Sequence, residues 1–234
     1  MINTTPTLSV LIPTYNEAAT IGQLLKHIQR IRAQFDQLQV IVINDGSSDQ
    51  TAAIVQQFDW VEYYSHPQNR GKTAAIRTGL ARARNRYVLI QDADLEYSPK
   101  DWLNLLQTAS SNQAPVVYGS RRLHHPAPRS AAAWFYLGGM SVNHLTNWLY
   151  HAHLTDVPTG YKLFERSLLQ SLPLKYDHFE FCPEVTARLL KLGIPILEVP
   201  IDYQPRSVAE GKKIGWRDFW SAIWVLIAIK LELL

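Results

Sequence analysis

Three acidic side chains at alternating positions, in Asp92-Ala93-Asp94-Leu95-Glu96, follow directly on the strand-like segment Tyr87–Gln91, apolar through Ile90. Carboxylates at i, i+2 and i+4, leaving a strand that would not otherwise tolerate them, suit a hard divalent cation. Mg2+ or Mn2+ takes such oxygen donors and completes its shell with phosphate oxygens. The chemistry predicted is metal chelation of a diphosphate; the plainer reading is a solvated acidic turn. Two more polar strings close apolar runs. Pro13-Thr14-Tyr15-Asn16-Glu17 offers a stiff turn, a flat ring and a carboxylate acceptor, all of which a base or ribose can use, although Asn16 also suits a helix cap. In Asn44-Asp45-Gly46-Ser47-Ser48-Asp49, Asp45 can accept from a base N–H or a ribose hydroxyl, and Gly46 permits a sharp turn. An ordinary capped turn is the alternative there. Asn69-Arg70-Gly71-Lys72 is too short for a Walker loop, and the absence of GxGxxG weighs against a dinucleotide dehydrogenase.

Apolar strands interleaved with helical patterns must position these strings. Strands are predicted at Leu8–Ile12, Val40–Ile43, Trp60–Tyr64, Tyr87–Gln91 and Pro115–Tyr118. Helices are predicted over Glu17–Phe35, Asp49–Phe58, Lys72–Arg84 and Pro99–Ala109. The alternation indicates βαβ units and an α/β, doubly wound, mostly parallel sheet flanked by helices. Ligands of such sheets sit beyond the carboxyl ends of the strands, where every string above falls. The second half is less regular. Trp134–Tyr150 is amphipathic and aromatic, Phe181–Lys191 reads as a helix, and Ile196–Tyr203 as an edge strand limited by Pro200 and Pro205. The tail is helical from Gly215, with Trp216, Trp220, Trp224, Ile227 and Leu231 spaced three or four apart. The expected division is a catalytic domain over 1–214 and an amphipathic helix over 215–234. This helix and Trp134–Tyr150 either pack on the sheet or meet a membrane interface.

Composition bounds the rest. At 234 residues, 47% hydrophobic and 18% charged, the chain can bury a sizeable core, and a net charge of +3 is too mild to mark a nucleic-acid binder. Its lone cysteine, Cys182, excludes an internal disulfide and reads as an apolar filler. The charge is unevenly spread. No acidic residue lies between Asp101 and Asp156, a stretch holding Arg121, Arg122, Arg129 and five of the eight histidines. Arg206, Lys212, Lys213 and Arg217 form a second basic cluster before the tail. Both suggest an anionic partner or a membrane surface. With no signal peptide or spanning segment visible, a cytoplasmic protein, peripheral at a membrane, is expected.

The strings PTYNE, NDGSSDQT, NRGKTAAIRTG, DADLE, GSRR, DVPTGYKLF and EVPIDYQPR, followed by EGKKIGW, run in order through the chain. Together they resemble the family-2 glycosyltransferases of GT-A fold, and within them the dolichyl- or polyprenyl-phosphate mannosyltransferases and their bacterial glucosyl relatives. The resemblance implies that Pro13, Tyr15, Glu17, Ile43 and Asp45 hold the nucleoside of a sugar nucleotide, with Lys72 among the substrate-binding residues. Asp92, Asp94 and Glu96 would bind Mg2+ or Mn2+, with the Ala93 backbone alongside. Arg121, Arg129, Arg206 and Lys212 would face phosphates of donor and acceptor. Asp156, heading the segment that matches the family's Asp-x-x-Ser-Gly-Phe, would lie near the reacting sugar. Asp94, Asp156, Arg121 and Arg129 make up the implied catalytic set.

This sequence departs from the family pattern in places. The paired aspartates read Asn44-Asp45, Glu96 replaces a common Gln, and Thr159 and Tyr161 replace Ser and Phe. The implied reaction is inverting transfer of a sugar, mannose from GDP-mannose, to a polyprenyl monophosphate at a membrane surface, with a membrane partner or self-association as further possibilities. UDP-glucose as donor, a soluble saccharide as acceptor, and a nucleotide-sugar binder without turnover are the alternatives.

Overall fold

The computed structural model describes residues 7–123, 133–177, 180–205 and 216–231. In chain order, β1 (Leu8–Thr14) leads to α1 (Ile21–Ile31), β2 (Leu38–Asn44), α2 (Thr51–Val55), β3 (Glu62–Ser65), α3 (Lys72–Leu80) and β4 (Tyr87–Ile90). The chain continues through α4 (Trp102–Ser111), β5 (Val116–Ser120), α5 (Ala133–Tyr150), β6 (Lys162–Glu165), α6 (Arg166–Ser171), α7 (Phe181–Lys191), β7 (Leu197–Pro200) and α8 (Trp216–Lys230). β1 is an almost unbroken buried apolar run, as expected of a strand covered on both faces. Alternate residues take opposite sides. Leu8, Val10 and Ile12 join Val40 and Val42 against α1 and α4, while Leu11 joins Ile41 and Ile43 against α3 and α7. The α1 stripe Ile21, Leu24, Leu25, Ile28 and Ile31 is buried as its spacing predicts. The helix begins at Ile21 rather than Glu17, because Asn16 has φ 52 and the next residues form a turn closed on the Glu17 carbonyl.

The seven strands lie in the order β3-β2-β1-β4-β6-β5-β7. The sheet is mostly parallel, with β6 antiparallel to both of its neighbours. Sequence periodicity missed β6: four residues are too few to show alternation, and its first, Lys162, is a fully buried charge. The direction of β6 decides where the site lies. Being antiparallel, it brings its leading segment, Asp156–Tyr161, to the same edge as the carboxyl ends of β1, β2, β4, β5 and β7.

α5 and α8 run side by side in the same direction, with Gly138 beside Phe219 and the Tyr150 hydroxyl donating to the Leu226 carbonyl at 2.7 Å. With α7 they enclose a third core containing Val142, Leu154, Ala187, Val225, Leu226 and Ile229. The face of α8 that docks is not the predicted stripe. Trp220, Trp224 and Leu231 are 59%, 56% and 61% exposed, and Trp148 of α5 is 74% exposed. Among the described residues no helix is long and apolar enough to cross a membrane.

Candidate active site

The ends of β1 and β2 are laced together by side chains. Ser47 Oγ accepts from Asn16 N at 2.9 Å, Asn16 Oδ1 from Ser48 N at 2.9 Å, and Asp49 Oδ2 from Ala18 N at 3.0 Å. Thr51 Oγ1 accepts from Glu17 N at 2.9 Å, and Glu17 accepts from the Thr20 hydroxyl at 3.0 Å. Although burial raises the Asp49 carboxyl, its hydrogen bonds, those from Thr51 foremost, hold it below the usual carboxylate range. The Tyr15 side chain is exposed at the end of β1, where half-buried Pro13 pairs in register with the fully buried Ile43 of β2.

Asp45, the expected nucleoside acceptor, has intramolecular partners on both carboxylate oxygens. It is buried, and its oxygens accept from Arg70 N at 3.0 Å and Gly71 N at 2.8 Å and meet His66 Nδ1 at 2.6 Å. It thus folds the Asn69–Gly71 loop onto the end of β2. Gly46 allows this close approach, since a Cβ there would stand 2.5 Å from the Gln68 carbonyl carbon. Asn44 in place of an aspartate also has a local reason. Its amide donates to Tyr63 Oη at 2.9 Å, which a carboxylate cannot do, and its Oδ1 accepts from Ser47 N. The first amides of α3 are taken as well: Thr73 N and Ala74 N both donate to the Asp177 carbonyl.

Asp92 receives the Lys72 ammonium at 2.5 Å. Burial pulls Lys72 down, and the Asp92 charge, with help from Asp94, outweighs this and raises it to about 12. The other Asp92 oxygen lies where a side chain at 160 would stand, a Cβ on Gly160 falling 2.3 Å from Oδ2. Leu95 turns the chain at φ 63, and Asp94 Oδ1 takes the Glu96 amide at 3.1 Å. Asp92 and Asp94, two hard oxygen donors already balancing a cation in a space cleared by Gly160, fit a divalent ion. Glu96 does not join them. Its carboxylate accepts from the Tyr203 hydroxyl at 3.0 Å, and among the described residues no three His, Cys, Asp or Glu side chains gather as a ligand group. In this arrangement Asp92 and Asp94 stand as a pair, and Glu96 anchors the segment that follows β7.

Beside these carboxylates stand three aromatics, Tyr97 and Tyr161 buried and Tyr203 half-buried. Tyr97 stacks on Tyr161 at 4.9 Å and tilts against Tyr203 at 5.3 Å, and its hydroxyl accepts from Gly160 N at 3.0 Å. Beyond them Arg121 grips Asp156 through Nε and Nη2, both at 2.7 Å, with its own amide adding a third bond at 3.0 Å. Burial raises the Asp156 carboxyl, and Arg121 more than reverses this, holding it below its ordinary value. Asp156 has no exposed surface, and two guanidinium nitrogens of Arg121 are committed to it. The remaining face of Arg121 lies over the Tyr203 ring at 4.9 Å.

Sequence reasoning passed over His66, Tyr97, Gly160, Lys162 and Glu198. Gly160, Lys162 and Glu198 stood inside the quoted strings DVPTGYKLF and EVPIDYQPR without being singled out; the other two gave no signal beyond their residue type. Arg129, Arg206 and Lys212 lie outside the described residues. Cys182 is half-buried and donates to the Thr159 carbonyl.

The Glycosyl transferase family 2 profile matches residues 9–172. The chain is 28% identical over 219 residues to the low-salt glycan biosynthesis hexosyltransferase Agl6 of Haloferax volcanii, covering 91% of this chain and about half, 52%, of that longer protein. It is 27% identical over 248 residues to the UDP-N-acetylglucosamine--dolichyl-phosphate N-acetylglucosaminyltransferase of Methanococcus voltae, covering 95% and 97% of the two chains. Identity to the polyprenol monophosphomannose synthase of Mycolicibacterium smegmatis is 26%, covering 88% and 80%. In fold the chain is similar to mannosyl-3-phosphoglycerate synthase from Rubrobacter xylanophilus, with TM-score 0.75 at 20% identity over 97% of this chain and 74% of that one. Glucosyl-3-phosphoglycerate synthase from Mycobacterium tuberculosis, solved with Mn2+, UDP and phosphoglyceric acid, gives TM-score 0.74 at 20% identity over 96% and 78%. The GT-A fold, the strand-end carboxylates and the family match agree: the chain belongs to glycosyl transferase family 2.

Proposed function

We propose that this glycosyltransferase moves a sugar from a nucleoside-diphosphate donor to a polyprenyl or dolichyl monophosphate held in a membrane, at its cytoplasmic face. The observation that carries the lipid acceptor is the pair α5 and α8. Their inner faces are built into the domain beside the Asp156 segment, and their outer faces present Trp148, Trp220 and Trp224 to solvent. Tryptophans near basic residues suit the headgroup level of a bilayer. Two relatives, covered to 97% and 80% of their own length, are named for a dolichyl-phosphate acceptor and a polyprenol monophosphomannose product, which supports the same reading.

In this reading the nucleoside lies on Tyr15, Pro13 and Ile43 at the ends of β1 and β2, within reach of Glu17. The diphosphate lies over Lys72, Asp92 and Asp94, beside the Ala93 backbone. A divalent cation held by Asp92 and Asp94 would offset the charge of the departing diphosphate. Lys72 orients the same phosphates. Arg121, neutralised in part by Asp156 and packed on Tyr203, forms a fixed cationic wall beside the anomeric carbon. The acceptor phosphate is already anionic near neutral pH, so it needs placement beside another anion more than a general base. Its oxygen bonds to the anomeric carbon as the bond to the donor diphosphate breaks, inverting configuration. Arg129, Arg206 and Lys212 are proposed to meet the acceptor phosphate.

The donor proposed is GDP-mannose. The test incubates the full chain with GDP-mannose, UDP-glucose or UDP-N-acetylglucosamine, Mg2+ or Mn2+, and a short polyprenyl phosphate. Lipid-linked mannose is the expected product. A product from a UDP-sugar alone corrects the donor, and no lipid-linked product from any donor with folded protein overturns the reading.

A further inference from the structure

The Asp156 segment is held in an unusual way. Every backbone N–H and C=O from Leu154 through Val157 has a partner, and all but one of these partners are side chains. Glu198 of β7 takes Thr155 N at 2.7 Å and Asp156 N at 3.0 Å, one amide on each carboxylate oxygen, and the Thr155 hydroxyl at 2.9 Å. From α5, Asn143 accepts from Val157 N at 2.9 Å and donates to the Leu154 carbonyl at 2.7 Å. One turn further on, Asn147 accepts from Leu154 N at 3.0 Å and donates to the same carbonyl at 2.8 Å. Lys162 of β6 donates to the Val157 carbonyl at 2.9 Å, and Arg122 to that of Thr155 at 3.2 Å. The exception is the Asp156 carbonyl, which accepts from Thr159 N at 3.3 Å.

Buried loop backbone needs partners in any fold, and neighbouring backbone or water usually supplies them. Here three separate elements supply side chains to one short stretch, and the stretch carries the carboxylate that fixes Arg121. We propose that Glu198, with Asn143 and Asn147, is a positioning device for the reaction. It acts through the Asp156 backbone to hold the Asp156–Arg121 pair in register with the donor, without touching substrate. The inference rests on the role given to this pair under the proposed function. It makes α5 a two-sided element, with Trp148 on its outer face and the Asn143 and Asn147 clamp on its inner face.

Glu198→Gln keeps the shape of the side chain but replaces one acceptor with a donor facing an amide. Two measurements test the device on the full chain: amide hydrogen exchange at Thr155 and Asp156, and kcat and KM set beside those of Asp156→Asn. Exchange should accelerate at least about tenfold, and kcat should fall about 10- to 100-fold with KM for the donor nearly constant, as for a small misplacement of a reacting group. The double variant should be no slower than Asp156→Asn alone. Unchanged exchange, or losses that multiply in the double variant, overturn the proposal. Asn143→Ala repeats the test from α5 should Glu198→Gln not fold. Full activity of Asp156→Asn overturns the role given to Asp156, while the exchange measurement still decides whether Glu198 holds the backbone.

Discussion

The carboxylate of Asp92 fills the space in which a side chain at position 160 would stand, so Gly160→Ala forces Asp92 or its loop to move. With a Cβ 2.3 Å from Oδ2, activity should drop at least about 100-fold while the melting temperature falls by only a few degrees. Assay and calorimetry of the same sample check both. Lys162 makes a different prediction. Burial lowers its ammonium from 10.5 to about 8, Arg121 adding to the effect and Cys182, Asp156 and Glu198 opposing it. Between those values the unfolded chain binds more protons than the folded one, so stability from this residue rises as pH climbs from about 8 to about 10. Denaturant midpoints of the wild type, compared with Lys162→Met, should show this rise in the wild type only, with a slope of at most about 1.4 kcal/mol per pH unit.

α8 shows why an apolar stripe read from sequence does not identify the buried face. Trp220, Trp224 and Leu231 recur at helical spacing, yet Val225, Leu226 and Ile229 are the residues that dock. A helix apolar on both sides leaves the choice of inner face to the shapes of its neighbours, here α5 and α7. The two faces therefore separate in experiment. Leu226→Ala should destabilise the protein by about 2–5 kcal/mol through the cavity it leaves. Trp220→Ser with Trp224→Ser should leave the melting temperature nearly unchanged and weaken sedimentation with anionic vesicles about tenfold, equivalent to ~1.4 kcal/mol. Equal vesicle binding by this double variant would mean that the exposed tryptophans serve something other than lipid.

Across the whole molecule, the site is a meeting of segments distant in sequence. β1, β2 and β4 bring one half, the leading segment of β6 and the ends of β5 and β7 bring the other, and the bonds of Tyr203 to Glu96 and of Gly160 to Tyr97 join them. Ligand binding at this junction should stabilise the entire domain. Mn2+ together with a nucleoside diphosphate should raise the melting temperature by several degrees, since a ligand at 100 times its Kd adds about 2.7 kcal/mol. Asp92→Asn should remove the part of the shift that depends on the metal. Chelation of divalent ions should abolish turnover while leaving the protein folded.

The sequence alone determined much of this. Strand-end positions for Tyr15, Asp45 and Asp92 followed from the apolar runs preceding them, because a parallel strand covered on both faces is largely apolar and clusters of polar residues gather where it ends. The ordered strings identified the family. What only the tertiary structure decided was pairing. No spacing rule could show that Asp45 folds a loop, that Glu96 turns to Tyr203, or that Asp156 closes on Arg121, since a carboxylate binds whichever donor the fold brings nearest. The same holds for β6, whose reversed direction depends on neighbours far away in the chain. Periodicity records only which face of an element is apolar, while partner and direction are set by the long-range contacts that close the fold.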